Sequence, residues 1–142
     1  MRATIGFVGA AAEQAARVPA ANIHVSRAAF GQVWAYAHDL ATRPGPDNRY
    51  LVGVLWTYRW LADQPVWSRV LNKLEIPASP VTGRHYAAMP ETIEVESLAT
   101  ARAYRPGQTG RWVGLARGTL ATLEWAWHGS GRLPLELPAA VE

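Results

Sequence analysis

The chain has no cysteine, a single lysine and no long uncharged run among its 142 residues, and each scarcity closes off a class of explanation. Without cysteine there is no disulfide, no thiolate metal site and no cysteine nucleophile. No charge-free segment approaches the roughly 18 apolar residues that span a bilayer, so no membrane partner is expected. The apolar run from Ala3 to Ala12 follows one arginine and is interrupted by Glu13 and Gln14. It is too short for a convincing secretory leader, and a cytoplasmic location is the expectation.

What is present is apolar and aromatic. Hydrophobic residues make up 49% and charged residues 18%, enough apolar surface to offset chain entropy, so one folded domain over residues 1–142 is predicted. Positive charge is carried almost entirely by arginine, and with abundant alanine, glycine and proline this fits a GC-rich bacterial genome or a phage of such a host. The net charge of +3 is modest for a nucleic-acid binder of this size.

Periodicity points to an all-α domain of five or six helices. A weakly defined N-terminal segment, residues 1–25, holds either a strand over Thr4 to Val8 or a helix through Arg17 that Pro19 stops. Ser26 is a suitable N-cap, and Phe30, Val33, Trp34, Ala37 and Leu40 recur at helical spacing until Arg43-Pro44-Gly45-Pro46 ends the run. From Arg49 to Asp63 nearly every position is apolar, the mark of a central helix. A short amphipathic helix is expected over Trp67 to Leu74, followed by a long loop, Ile76 to Met89.

Pro90 then opens a helix whose Glu91, Glu94 and Glu96 place negative charge near its N-terminus, with Ile93, Ser97, Ala101 and Tyr104 facing inward. After the break at Arg105-Pro106-Gly107, a last long helix spans Arg111 to His128. Its seam is Val113, Ala116, Leu120, Leu123 and Trp127. The tail, residues 133–142, is expected to be extended.

Two of these helices share a pattern. Gly53-Val54-Leu55-Trp56-Thr57-Tyr58-Arg59-Trp60 and, 65 positions on, Gly118-Thr119-Leu120-Ala121-Thr122-Leu123-Glu124-Trp125 both read Gly-x-Leu-x-Thr-x-x-Trp. On a helix, Gly, Thr and Trp share one face, where two small residues let a neighbouring backbone approach. The repeat is either a duplicated helical hairpin or a coincidence; in both cases the two helices are predicted to pack closely together.

Chemistry-bearing motifs are missing. There is no phosphate-cradling loop, no His-Glu-x-x-His and no nucleophile elbow, so no catalytic residue is assigned. His24, His38, His85 and His128 are unpaired at metal-ligand spacing, and neither a metal nor a cofactor is expected. His38 reads as a helix residue with one satisfied nitrogen, and His128 as a partner of the last helical carbonyls.

Three binding readings remain. Seven tryptophans exceed what a small helical core easily hides, and Trp67 and Trp112 are the candidates for exposure. Aromatic residues with arginine dominate interface hot spots, so the leading expectation is a non-enzymatic interaction or assembly protein that binds a protein partner or itself. The alternative is a nucleic-acid or phosphate-binding module using Arg102, Arg105, Arg111 and Arg117, which lie in a stretch free of acidic residues with Tyr104 and Trp112 interleaved. A second alternative is a small-molecule binder or enzyme using Arg84, His85 and Tyr86 in the 76–89 loop.

Overall fold

A computed structural model describes residues 13–45, 48–62, 66–75, 77–104 and 111–137. Among the described residues, four long helices carry the fold: α1 (Arg27–Thr42), α2 (Arg49–Leu61), α3 (Pro90–Ala103) and α4 (Arg111–Ala126). A helical turn at 13–17 and a 3-10 turn, Ala20–Asn22, precede them. The domain is all-α, as its periodicity predicts, and no helix among the described residues is long and apolar enough to cross a membrane.

Local sequence explains the boundaries. Ser26 accepts from the Ala29 amide at 3.0 Å to start α1, and Asn48 accepts from Leu51 at 3.1 Å to start α2, each satisfying a donor that the first helical turn leaves open. Phe30, Val33, Trp34 and Ala37 bury the inner face of α1 against α2, where Phe30 and Trp34 ring Tyr58 at centroid distances of 4.2 and 5.3 Å. The N-terminal turns are tied down by polar contacts. Asn22 donates to the carbonyls of Leu61 at 2.8 Å and Ala88 at 2.9 Å, and the Arg27 guanidinium donates to those of Ala15, Ala16 and Val18.

The most extensive helix contact is α2 against α4. Arg49 meets Gly114, Tyr50 meets Gly118 and Thr57 meets Thr119, so the two helices run in the same direction. The repeated glycines form the closest approach. A Cβ on Gly53 would stand 2.1 Å from the Leu115 carbonyl oxygen, and a Cβ on Gly118 would stand 2.1 Å from that of Tyr50. The second neighbours match too, Thr119 N and Val54 N each at 3.1 Å. Adding or subtracting the 65-residue offset turns one set of contacts into the other. The threonines repeat the relation, Thr57 donating to the Gly53 carbonyl at 2.7 Å and Thr122 to that of Gly118 at 2.8 Å. With every hydroxyl satisfied, the seam buries polar side chains without the penalty of an unpaired donor. Trp60 and Trp125 close the pattern, both buried.

Four expectations change. Trp67 to Leu74 is not a helix: β1 (Val66–Ser68) and β2 (Lys73–Glu75) form an antiparallel hairpin pairing Ser68 with Lys73. Its turn is closed by Asn72 at φ 52°, a left-handed conformation that asparagine tolerates better than most residues. The inward face of α3 is Ile93, Glu96, Ser97 and Thr100, whereas Ala101 is exposed and Tyr104 only half-buried. Alpha-helix α4 stops at Ala126, and its end turns through Trp127 and His128, both of whose amides return to the Leu123 carbonyl. The described part of the tail, residues 133–137, lacks helix, as expected, but it is not merely draped over the surface. Pro134 is buried, Leu135 and Leu137 pack on the core, and the Tyr50 hydroxyl donates to the Pro134 carbonyl at 2.6 Å. The expected strand over Thr4 to Val8 lies outside the described residues.

Candidate binding surfaces

The loop before α3 is organised by a carboxylate that charge patterning alone assigns to the helix start. Glu96 is fully buried, and its oxygens accept from the amides of Val81 at 2.7 Å and Thr82 at 2.9 Å and from the Thr82 hydroxyl at 2.6 Å. Tyr86 approaches the same carboxylate at 3.4 Å, and Trp60 donates to the Tyr86 carbonyl at 3.0 Å. The loop is thereby pinned to α3 from within. Arg84 and His85 are left pointing to solvent with Tyr86 half-buried, so these three side chains do not gather around a common water-excluding cleft. Glu94 differs from Glu96 in being exposed, and it accepts from the Trp127 indole at 2.7 Å.

One flank of α2 is apolar and open. Val52, Leu55 and Trp56 form a groove of about 490 Å³ with Pro77 and Ala78, and Arg59 stands at its edge. Trp56 is 36% exposed, its indole N–H donating to the Ala78 carbonyl at 2.9 Å, so the ring is oriented by a hydrogen bond while one face stays wet. The hairpin that leaves α2 adds more apolar surface: Val70 is 93% exposed and Leu74 63%, beside exposed Arg69 and Lys73.

The predicted aromatic pair is only partly placed. Trp112 is 53% exposed in the first turn of α4. The side chains of Trp67 and Arg111, and the whole of Arg105, lie outside the described residues.

Of the other arginines, Arg102 is exposed near the end of α3, and Arg117 lies over the Tyr104 ring with its guanidinium carbon 5.9 Å from the centroid. Arg117 belongs to a second groove, of about 350 Å³, whose walls include Tyr50, Tyr104, Glu124 and, from the C-terminal tail, Arg132 and Leu133. Burial raises the Tyr50 pKa, an effect the Arg117 charge partly opposes. Arg117 therefore shares its groove with Arg132, a residue outside the arginine stretch read in sequence.

The histidines are engaged structurally. His128 hydrogen-bonds Ser97 at 2.9 Å, His24 hydrogen-bonds the Trp127 carbonyl through Nδ1, and His38 stacks on Trp34 at 6.0 Å. Burial, and after it the Arg59 charge, hold the His38 pKa below its usual value.

Comparison of the chain with protein-family models, with curated proteins and with solved structures finds no match. The functional reading therefore rests on these surfaces.

Proposed function

We propose that the protein is a non-enzymatic interaction protein whose α2 flank receives an apolar, acid-rimmed segment of a partner protein. The observation that carries this reading is the open groove beside Trp56. An indole fixed by one hydrogen bond, with aliphatic neighbours and an arginine at the rim, has the composition of an interface hot spot. The hairpin offers further exposed apolar side chains, Val70 and Leu74. Its charges favour a partner over a second copy. Arg59 lines the groove and Arg69 and Lys73 are exposed on the hairpin, and a second copy would meet these cations with like charge. Trp112 offers a further aromatic contact.

The reciprocal glycine contacts support reading α2 and α4 as duplicated units. In that view the seam is the inherited scaffold and the outer flank of α2 carries the recognition.

The test is capture of binding proteins from the native host by the wild-type chain, then repetition with Trp56→Ala, Val70→Asp and Trp112→Ala. The expected result is a specific partner with an acidic, apolar contact segment, lost with Trp56→Ala or Val70→Asp while helicity is unchanged. Light scattering separates the assembly form of the reading, which predicts an oligomer that these changes dissociate. A monomer whose bound proteins are indifferent to all three substitutions would refute it.

A further inference from the structure

The groove between the C-terminal tail and α4 has a chemistry unlike the apolar flank of α2. Arg117 and Glu124 are two turns apart on the same face of α4, roughly 10 Å along the axis at about 1.5 Å per residue, with Leu120 and Ala121 between them. Arg132 enters from the tail, which the Tyr50–Pro134 hydrogen bond fastens to α2. Among the described residues no carboxylate lies in ion-pair range of Arg117 or Arg132, and Glu124 likewise has no cationic partner. Two guanidinium groups and a carboxylate thus share one groove without neutralising one another.

Each group asks for a different part of a ligand. The guanidiniums, charged at any physiological pH, suit a phosphate or carboxylate. The Glu124 carboxylate, which accepts and does not donate, calls for hydroxyl or amine donors. Tyr50 and Tyr104 offer aromatic rings, and Leu120 and Leu133 offer apolar surface, for a planar group between the two polar ends. A volume of about 350 Å³ is at the small end of ligand pockets.

The geometry points to a nucleoside monophosphate as the occupant, with its phosphate between Arg117 and Arg132, its ring system against the tyrosines and its amine or sugar hydroxyls toward Glu124. The same unit occurs free and at the phosphorylated 5′ end of a single strand, and the shared chemistry is what the groove recognises.

The experiment titrates the full chain with adenosine 5′-monophosphate by calorimetry, beside adenosine, inorganic phosphate and a short oligoadenylate bearing or lacking a 5′-phosphate. Saturable binding of the monophosphate is expected, with adenosine and inorganic phosphate each weaker by about tenfold or more. Arg117→Ala and Arg132→Ala should each weaken it by a similar factor, and circular dichroism should show the helices intact. Both side chains are exposed, so folding is not at stake. Binding of the phosphorylated oligonucleotide as well assigns the strand end as the source, and binding of the mononucleotide alone assigns the free form. No saturable binding, inorganic phosphate binding as tightly as the nucleotide, or affinity untouched by both arginine substitutions would each overturn the assignment.

Discussion

The two sides of α2 obey opposite rules. Toward α4, Gly53 leaves no room between backbones, and the threonine hydroxyls of the seam are bonded one turn back, at Thr57 and Thr122, or across it, between Thr57 and Thr119. On the far side, Trp56 and Arg59 stand at an open groove, and bulky side chains meet solvent instead of a neighbour. One helix therefore separates a contact made by backbone, which cannot adapt, from a surface made by side chains, which can. Rigidity on the first side presents the second in a fixed orientation.

The sharpest way to break this contrast is to add a single carbon to the seam. Gly53→Ala and Gly118→Ala each place a methyl against a main-chain carbonyl that no rotamer change can move, and each should cost about 3 kcal/mol in denaturant unfolding. Their reciprocal geometry predicts nearly equal losses. The double variant should lose less than the sum, since one separation of the helices relieves both clashes. A pair of unequal costs would show that the contact is not reciprocal.

The next largest effect concerns the wall of the open side. Glu96→Ala leaves the amides of Val81 and Thr82 without their acceptor and should lower stability by about 2 to 3 kcal/mol. Hydrogen exchange should rise first in the loop around residues 79–86, ahead of the seam. Trp56→Ala should cost only about 1 kcal/mol, through its bond to Ala78, because the residue is already 36% exposed to water. Its larger consequence should appear in partner binding.

A pH titration sharpens the comparison in another way. The contacts of the seam are made by backbone and by threonine, none of which titrates, whereas His38 sits near Arg59 on the other side of α2. Since its folded pKa lies below 6.5, folding favours the neutral ring. That contribution is complete above the unfolded value and is lost as pH falls through the folded one. Between about pH 7.5 and about pH 5 the wild type should therefore lose more stability than His38→Gln, measured by denaturant unfolding. The smallest effect belongs to Tyr58. Its hydroxyl is buried with no hydrogen-bond partner among the described residues, so Tyr58→Phe should change stability by less than about 0.5 kcal/mol or raise it slightly.

Much of this architecture is readable from residue order because its determinants are local or periodic. The Gly-x-x-x-Thr-x-x-Trp spacing already names the seam, since small residues one turn apart have no other common use on a long apolar helix. The hairpin is not legible in residue order, because Trp67, Val70, Leu71 and Leu74 satisfy helical spacing while a left-handed Asn72 decides otherwise. Glu96 is hidden from a reading of residue order for a different reason. A third glutamate in a helix start looks like favourable surface charge, and its true partners, Val81 and Thr82, lie in a loop that only the fold brings beneath it. Arg117 was within reach of a sequence argument, but Tyr50 and Arg132 are far from it in the chain, and nothing short of folding assembles them.

The glycine contact also sets the register of the two central rods. Shifting either helix by one residue would bring the side chain of Val52 or Val54, or that of Arg117 or Thr119, against a carbonyl that now faces only a hydrogen atom. Sliding and rolling are thus forbidden together, and α2 and α4 have a single indexed position. The chain spells out that alignment with the two residues that carry no side chain at all.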